Sequence, residues 1–348
     1  MTAAWFTHAL RHAGVLGDQS VTAVGSTPIG TGQVADTLLF TLTYDDADAA
    51  LPVSLVAKLA AEDADSRAAA VGSRLYEREV RFYQQLLART AVRAPRHLYS
   101  DIDTVTGRFV LLLEDLSPAS SVNQLAGFDV EHARRAMAEA AALHAPMWND
   151  DALADVDWLN HTRATADMLA QNGPVLTEAF CERYRSDLDD RLLAQMRRIN
   201  AYAPTFWTTQ HQPLTVVHGD FRPDNMLFDA KGGQLPVAVV DWQTTDRGNG
   251  LLDVAFLLGT ALEPETRRAH ERELVSQYFE ALIAGGVGGY DWERCWTDYR
   301  RHACYAVYFL TPAAMLVERT ARGDEMFLTM IRRALAQIAD LDTEALLH

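Results

Sequence analysis

The strongest signal in this chain is the stretch VVHGDFRPDNMLF at residues 216–228, followed by VAVVDWQ at residues 237–243. In each stretch a short apolar run ends in polar residues, which is typical of a buried strand that leads into a loop. The first run delivers Asp220, Asn225 follows five positions later, and the second run ends at Asp241. Two carboxylates and an amide form a hard oxygen donor set suited to magnesium. Phosphoryl transfer needs such a set, with one carboxylate orienting the attacking hydroxyl and the other ligands holding metal on the phosphates.

Working outward from these loops, the sequence predicts an α+β protein with two lobes. Alternating apolar residues predict strands at 21–25, 36–44, 53–59, 97–101 and 108–114, and a long helix at 66–88. The rest is mostly helical, with helices at about 129–148, 160–170, 176–200, 250–262 and several within 265–340, and short strands at 214–217, 225–228 and 237–241. We expect a sheet-rich N-lobe at 1–113 that binds nucleotide, a hinge at 114–120 and a large helical C-lobe at 121–348.

Composition narrows the possible partners and the location. The formal net charge of −16 argues against nucleic acid or an anionic membrane as the natural partner. An acidic surface fits a cationic substrate, but it equally fits a charge that serves only solubility. The three cysteines show no CxxC spacing, which is typical of reduced thiols in a cytoplasmic protein. We expect no signal peptide, because the first residues read as an amphipathic helix, and no membrane span.

A strand lysine and a helix glutamate upstream complete the candidate site. Lys58 lies on the predicted strand 53–59, on the face opposite Val53, Leu55 and Ala57, where its ammonium could reach nucleotide phosphates. Two glutamates on the helix 66–88 could pair with it. Glu79 shares a helical face with four apolar residues, Leu75, Phe82, Tyr83 and Leu86, whereas Glu77 lies near arginines on a solvated face. Because a buried carboxylate needs a partner, we predict the Lys58–Glu79 pair.

The stretches at 216–228 and 237–243 resemble the catalytic and metal-binding loops of the aminoglycoside phosphotransferase and choline kinase-like superfamily, a branch of the protein-kinase-like fold. Within that superfamily, the motifs look most like those of the ecdysteroid-kinase-like small-molecule kinases. HGDFRPDN matches the pattern H-G-D-x-x-x-x-N, and DWQ stands where protein kinases carry D-F-G. The resemblance implies an ATP- and Mg2+-dependent kinase acting on a hydroxyl of a small molecule. It makes Asp220 the catalytic base or the residue that orients the hydroxyl, and Asn225 and Asp241 the metal ligands. His218 would shape the loop, either as a packed structural histidine or with a direct chemical role.

The resemblance also assigns the nucleotide contacts. It places backbone groups from Glu114 to Leu116, in the predicted hinge, against the adenine edge. The turn containing Gly30 and Gly32 lies between two strands and either approaches the phosphates through backbone N–H groups or is an ordinary hairpin turn. Asp253, on an apolar helix, is expected to brace the catalytic loop.

The acceptor and some rival functions stay open at this level. Trp292, Trp296 and Tyr299 follow helical spacing, so they form either a packing stripe or an aromatic wall of the acceptor pocket. No dense acidic run in 265–340 is arranged to bind a polyamine, so an aminoglycoside is not favoured over a more apolar alcohol or a hydroxyacyl compound. A protein kinase is disfavoured because no A-P-E segment follows Asp241. A pseudokinase or scaffold is disfavoured because the full set of catalytic and nucleotide-binding residues is present.

Overall fold

A five-stranded antiparallel sheet with strand order β1-β2-β3-β5-β4 forms the core of the N-terminal lobe. The computed structural model describes residues 1–29, 34–46, 51–160, 162–209 and 212–347. The strands are β1 (Val21–Pro28), β2 (Ala35–Tyr44), β3 (Ser54–Ala60), β4 (His97–Ile102) and β5 (Phe109–Glu114). All five strands predicted for this lobe are therefore present, with ends shifted by a few residues.

The two faces of this sheet have different neighbours. Helix α1 (Ala3–His12), which begins at Thr2 with a side-chain oxygen accepting from the Trp5 N–H, packs on one face together with Leu55 and Ala57. The period of two along a strand turns Lys58 to the opposite face. That alternation confirms the predicted orientation of Lys58, although Val53 lies before β3 and is exposed.

The segment predicted as one helix at 66–88 is divided in the structure. Helix α2 (Ala64–Gly72) ends at Ser73, Arg74 adopts a left-handed conformation with φ of 54°, and helix α3 (Leu75–Arg81) begins after it. A π-helical turn follows at Phe82–Leu86. The Gly–Ser pair at the break is a poor helix former, and a periodicity that continues across it hid the interruption. The predicted inward stripe is confirmed, because Glu79 and Phe82 are buried.

The C-terminal lobe is a bundle of helices around α8, whose residues are all buried. The helices are α4 (Val130–His144), α5 (Thr162–Arg183), α6 (Asp190–Asn200), α7 (Ala203–Thr209), α8 (Leu251–Ala261), α9 (Pro264–Ala284), α10 (Trp292–His302), α11 (Tyr305–Leu316) and α12 (Ala321–Asp340). The predicted break between residues 170 and 176 is wrong. Pro174 lies inside α5, and α6 begins later, where the Asp189 carboxylate accepts from the Leu192 N–H.

Two small sheets carry the loops singled out in the sequence. Strand β7 (Thr215–Val217) pairs with β10 (Asp246–Gly248), and the other sheet contains β6 (Ser120–Ser121), β8 (Met226–Asp229) and β9 (Leu235–Val239). Strand β7 leads toward Asp220 and β9 leads toward Asp241, so the two carboxylates follow strands of different sheets. The sheet-rich and helical parts together form the bilobal protein-kinase-like fold expected from the sequence.

The three cysteines, Cys181, Cys295 and Cys304, are unpaired and buried. Burial raises the pKa of the Cys295 and Cys304 thiols to about 12. Within the described ranges, no helix combines the length and the apolar character needed to cross a membrane.

Candidate active site

The loop after β7 is held in place by hydrogen bonds to one carboxylate, that of Asp253. Asp253, fully buried on α8, accepts from the His218 N–H through Oδ2 at 2.7 Å and from the Gly219 N–H through Oδ1 at 2.9 Å. The buried His144 lies on the other side, with Nε2 3.1 Å from the same Oδ2. Asp253 therefore fixes the backbone that precedes Asp220, as its predicted bracing role requires.

The His218 ring joins the two candidate loops. Its Nδ1 accepts from the Asp220 N–H at 3.2 Å, and its Nε2 lies 3.0 Å from the Val240 carbonyl, to which it donates. Both ring nitrogens are therefore used inside the protein. This geometry favours the structural reading of His218 over a direct chemical role.

Gly219 allows the loop to turn tightly. Its φ is +82°, and a Cβ added there would lie 2.6 Å from the Thr244 carbonyl oxygen. Thr244 in turn donates through Oγ1 to the His218 carbonyl at 2.8 Å, and the Tyr305 hydroxyl donates to the Gly219 carbonyl at 2.5 Å. Only glycine fits both the positive φ and this close approach.

The two oxygens of the Asp220 carboxylate differ in their hydrogen bonds. Asn225 donates through Nδ2 to Oδ2 at 2.9 Å and to the Asp220 carbonyl at 2.8 Å. Arg222 Nε lies 3.0 Å from both carboxylate oxygens, but its N–H is directed at Oδ2. Oδ1 is buried and accepts no hydrogen bond from the residues that the structure describes. An acceptor in this position is suited to a hydroxyl donor brought by a substrate.

Arg222 is a site residue that the sequence reasoning missed. Its Nη1 lies 3.0 Å from Asp224 Oδ2 and 3.4 Å from Met326 Sδ on α12. Burial would lower the pKa of Arg222, but Asp220 and Asp224 raise it above its ordinary value. The only sequence signal was a basic residue between two acidic ones in DFRPD, a pattern that does not reveal which carboxylate the guanidinium contacts.

Lys58 lies between two carboxylates from different lobes. Its Nζ is 2.6 Å from Glu79 Oε1 and 2.8 Å from Asp241 Oδ1. Glu79 is 1% exposed, while Glu77 instead pairs with Arg74 at 2.9 Å. The ion pair between Lys58 and Glu79 is therefore present, and Asp241 joins it.

Electrostatics support charged forms of Lys58 and Asp241. Burial would lower the pKa of Lys58, but Asp241 and Glu79 raise it above the ordinary lysine value. Burial would likewise raise the pKa of Asp241, but the Lys58 ammonium holds it below the ordinary carboxyl value. The favourable interaction of each group with its neighbour thus outweighs its desolvation.

The loop that carries Asp241 is anchored to α3. Asp241 has φ of 68°, an unfavourable conformation for a residue other than glycine. The Trp242 indole stacks on Phe82 with ring centroids 3.8 Å apart, and its backbone N–H donates to Glu79 Oε1 at 3.4 Å. Gln243 Nε2 lies 3.4 Å from Asp241 Oδ2. Backbone strain held by such packing is a common feature of functional sites.

The candidate metal ligands approach each other through their backbones. The Val240 N–H, one residue before Asp241, donates to the Asn225 carbonyl at 3.0 Å. Within the described residues no group of three or more His, Cys, Asp or Glu side chains surrounds a metal position. Protein sites for Mg2+ commonly use one or two carboxylates and take their other ligands from phosphates and water, so this donor set fits the ion.

The hinge residues that were predicted to contact the nucleotide base bind another part of this chain. The side chain of Glu114 binds Lys231, and the Leu116 carbonyl accepts from the Lys231 N–H at 3.0 Å. This ties the predicted hinge to the turn after β8. Gly30 and Gly32 lie outside the described residues.

The aromatic stripe packs on itself. Trp292 stacks on Trp296 with centroids 5.8 Å apart, and Trp296 stacks on Tyr299 at 5.3 Å. The Arg272 guanidinium covers both indoles at 5.3 and 4.9 Å. These contacts favour the packing interpretation for all three aromatic residues.

A sheet-rich lobe with a lysine–glutamate ion pair, joined to a helical lobe with an HGD loop, is the architecture of the protein-kinase-like fold. The fold is similar to that of choline kinase from Cryptosporidium parvum, with a TM-score of 0.57 and 9% identity over 93% of this chain and 90% of that chain. It is also similar to a mutant aminoglycoside 2'-phosphotransferase-IIIa solved as its GDP complex, with a TM-score of 0.55 and 13% identity over 97% of this chain and 98% of that one.

Sequence comparison identifies the family. Residues 37–285 match the model of the ecdysteroid kinase-like family, and the chain belongs to that family. A stretch of 83 residues is 31% identical to acyl-CoA dehydrogenase family member 10 of Mus musculus. That match covers 24% of this chain and only 8% of the mouse protein, so the chain corresponds to a small part of that relative.

Proposed function

We propose that this protein transfers the γ-phosphoryl group of ATP to a hydroxyl of a small molecule, with Mg2+ as cofactor. The observation that carries the proposal is the buried, unbonded Oδ1 of Asp220, in a carboxylate whose other oxygen is fixed by Arg222 and Asn225. The family and the kinase fold support phosphotransfer in general. The acceptor, the nucleotide and the roles of the individual residues are part of the proposal.

Asp220 would receive the acceptor proton. The acceptor hydroxyl donates to Asp220 Oδ1 as its oxygen forms a bond to the γ-phosphorus. The bond from that phosphorus to the β,γ-bridging oxygen breaks, ADP leaves, and the hydroxyl proton is transferred to the carboxylate. Such general-base assistance is typically worth about 10²–10⁴ in rate. Arg222 fixes the orientation of the carboxylate during this step.

Asn225 and Asp241 would hold the cation. Asn225 uses its amide N–H groups on Asp220, so its carbonyl oxygen is the group left to face a metal ion. Mg2+, when bound, would neutralise charge on the nucleotide phosphates. Lys58, charged and oriented by Glu79, supplies a second positive group from the N-terminal lobe.

The nucleotide base would lie at the hinge. The Glu114 N–H donates to the Arg96 carbonyl, and the Leu116 carbonyl already accepts from the Lys231 N–H, so a purine would use other backbone N–H groups of this segment or the second lone pair of Leu116. The aminoglycoside enzyme with the similar fold was solved with GDP. GTP is therefore included with ATP as a phosphate donor in the transfer assay described below.

Two classes of phosphate acceptor are considered. One is an apolar alcohol or a hydroxyacyl compound, and the other is an amino sugar. An aminoglycoside kinase is the second candidate function, favoured by the fold similarity to aminoglycoside 2'-phosphotransferase-IIIa. A weakly active nucleotide-binding protein is a third. It is disfavoured because Lys58, Glu79, Asp220, Asn225 and Asp241 are all in place.

A transfer assay with a matched inactive variant tests the proposal. ATP or GTP with Mg2+ is incubated with small alcohols, hydroxyacyl compounds, amino sugars and a generic protein substrate, and phosphorylated products are detected by mass spectrometry. We expect transfer to at least one small hydroxyl compound and none to the protein substrate. Nucleotide binding without any transfer would contradict the kinase assignment and favour a binding protein.

Asp220→Asn is the first prediction and the control for that assay. The variant keeps the shape of the side chain but cannot accept the proton, so turnover should fall by about 10²–10⁴. Nucleotide affinity, measured by calorimetry, should stay near the wild-type value. Near-native turnover in purified Asp220→Asn would exclude Asp220 as the base.

A further inference from the structure

The hydroxyl of Tyr305 makes a contact that the proposed mechanism does not use. Tyr305 is the first residue of α11 and is 3% exposed. Its hydroxyl donates to the Gly219 carbonyl at 2.5 Å. Burial raises the pKa of Tyr305 well above its ordinary value, and the Asp253 and Asp220 carboxylates raise it further. The hydroxyl therefore keeps its proton, so it can hold a carbonyl but cannot serve as a base.

The ring of Tyr305 is fixed by aromatic neighbours from three helices. Its centroid lies 5.6 Å from that of Phe256 on α8, 5.7 Å from that of Trp207 on α7 and 5.8 Å from that of Phe309 on α11. A ring in such close packing cannot turn its hydroxyl away without displacing these neighbours. The packing of the helical lobe therefore sets the direction in which the hydroxyl points.

The carbonyl that accepts this bond belongs to the peptide unit that leads into Asp220. The Gly219 carbonyl and the Asp220 N–H share one planar unit. The Asp220 N–H donates to His218 Nδ1 at 3.2 Å, a partner within the same loop. Because glycine allows a wide range of backbone conformations, Gly219 alone does not fix how this unit is turned. Among the residues that the structure describes, Tyr305 is the partner from outside the loop that holds it.

The preceding peptide unit has separate supports. Thr244 donates to the His218 carbonyl, and the Gly219 N–H donates to Asp253. Asp253 thus fixes the loop before Gly219, whereas Tyr305 acts directly before Asp220. Rotation of the peptide unit held by Tyr305 would change φ of Asp220, and the allowed side-chain rotamers depend on φ. The direction of the Asp220 carboxylate therefore depends on how this unit is held.

We propose that Tyr305 is a positioning residue whose hydroxyl, by holding the Gly219 carbonyl, fixes the peptide unit before Asp220 and directs Oδ1 toward the acceptor hydroxyl. Misplacement of a reacting group by about 1 Å can cost about 10²-fold in rate. The role in turnover rests on the proposed kinase function, because it concerns the base of that reaction. The holding of the peptide unit does not depend on catalysis and can be measured without any substrate.

The test uses Tyr305→Phe, which removes only the hydroxyl, and Tyr184→Phe as the matched control. Tyr184 is also buried in the helical lobe, but its hydroxyl donates to Asp324 Oδ1 at 2.7 Å rather than to the catalytic loop. Asp220→Asn and Asp220→Asn/Tyr305→Phe complete the set. For each protein we would measure the melting temperature, kcat and KM for ATP, and the hydrogen exchange of the loop amides by NMR without nucleotide.

The kinetics should separate turnover from nucleotide binding. In Tyr305→Phe, kcat should fall at least about tenfold while KM for ATP changes less than about threefold, because Lys58 and Asp241 keep their contacts. In the Asp220→Asn background, the same substitution should change kcat by less than about twofold, because no base is left to position.

Hydrogen exchange should report the peptide unit directly. The Asp220 N–H should exchange at least about tenfold faster in Tyr305→Phe, because its peptide unit is then held at one end only. Tyr184→Phe should leave kcat and this exchange rate nearly unchanged. Both Phe variants should lower the melting temperature by a similar amount, because each loses one hydroxyl hydrogen bond.

Several outcomes would overturn the proposal. Wild-type kcat or wild-type exchange of the Asp220 N–H in Tyr305→Phe would do so, as would an equal loss of kcat in Tyr184→Phe or a full further loss in the double variant. Failure of Tyr305→Phe to fold, or a fall in melting temperature far beyond that of Tyr184→Phe, would make Tyr305 a structural residue instead. If the wild type binds nucleotide but transfers phosphate to no acceptor, the kinase function fails, whereas the exchange data still decide whether Tyr305 holds the peptide unit.

Discussion

At the scale of single residues, the two carboxylates of the site are held by different cations. Asp220 is fixed by Arg222 within its own loop, whereas Asp241 is held by Lys58 from the other lobe. A cation bound to Asp241 would therefore compete with Lys58 for that carboxylate. The proposed base and the predicted metal ligand can thus be separated by mutation.

The second prediction concerns Asp241. In Asp241→Ala, Lys58 retains Glu79 as a partner, so direct contacts to the phosphates need not be lost. We therefore expect binding of Mg2+–ATP to weaken at least about tenfold, with a smaller effect on metal-free ATP. Calorimetry with and without Mg2+ measures both. Equal losses in the two conditions would indicate a folding defect and would remove Asp241 from the metal site.

The third prediction compares two glutamates on α3. Glu79→Gln removes the buried charge that orients Lys58 and should reduce kcat/KM for ATP at least about tenfold, or about 1.4 kcal/mol of transition-state stabilisation. Glu77→Gln is the matched control, because its partners Arg74 and Arg81 form pairs of the kind worth about 0–1 kcal/mol. Steady-state kinetics on both variants decides the matter, and the reverse ranking would contradict the assigned pairing.

At the scale of elements, sequence periodicity correctly predicted which way side chains face. It did not predict where helices are interrupted or continue. The alternation in β3 correctly placed Lys58 away from Leu55, and the helical stripe correctly placed Glu79 inward. The break at Arg74 follows the low helix propensity of the preceding Gly–Ser pair, which the continuing periodicity hid. The continuation of α5 through Pro174 is the opposite case, in which packing overrides local propensity.

In the candidate site, too, some features were predicted from the sequence and others were not. The motif alone indicated Asp220, Asn225 and Asp241. The contacts of Arg222 and the burial of Arg78 could not be predicted. The direction of a loop side chain follows no periodicity, and a surface-type residue next to a buried one gives no sign of its own burial.

The fourth prediction tests α8 as the support of the catalytic loop. Asp253→Asn leaves the loop N–H groups of His218 and Gly219 with one acceptor oxygen instead of two, at a cost of about 1–3 kcal/mol in the free energy of unfolding. Turnover should fall at least about tenfold because Asp220 loses its fixed position. Denaturation and kinetics measure the two effects.

Asp298→Asn provides the control for that variant. Asp298 is also buried in the C-terminal lobe, but its carboxylate binds Tyr290 at 3.0 Å and Arg301 at 3.0 Å rather than the catalytic loop. It should lower stability while leaving kcat nearly unchanged. A comparable loss of kcat in both variants would mean that general destabilisation, and not loop support, explains Asp253.

At the scale of the whole molecule, the two lobes share a core. One face of the N-terminal sheet packs with α1 in a separate cluster, while Val80 and Phe82 of the α3 region belong to the same cluster as the buried residues of the C-terminal helices. Helix α3 is therefore one element through which the sheet and the helical lobe contact each other. A change at α3 should consequently affect both nucleotide binding and the stability of the protein.

The fifth prediction concerns stability and pH. Burial lowers the pKa of His97, whose Nε2 lies 2.8 Å from Ser100 Oγ. In the unfolded chain, His97 takes up a proton below about pH 6.5, while the folded protein takes it up only at lower pH. Stability is therefore lost as pH falls through this window, by at most about 1.4 kcal/mol per pH unit. His97→Gln should flatten this dependence in denaturant titrations, and an unchanged slope would exclude His97 as its source.

The buried thiols have a practical consequence for measuring whether the lobes move when nucleotide binds. Cys181, Cys295 and Cys304 are buried, and burial raises the pKa of each, so maleimide dyes should react slowly with all three. Cysteines introduced at the exposed Val53 and Val175 would then be labelled selectively in the otherwise native sequence. Fluorescence energy transfer between these two dyes would report the distance between the lobes as nucleotide is added.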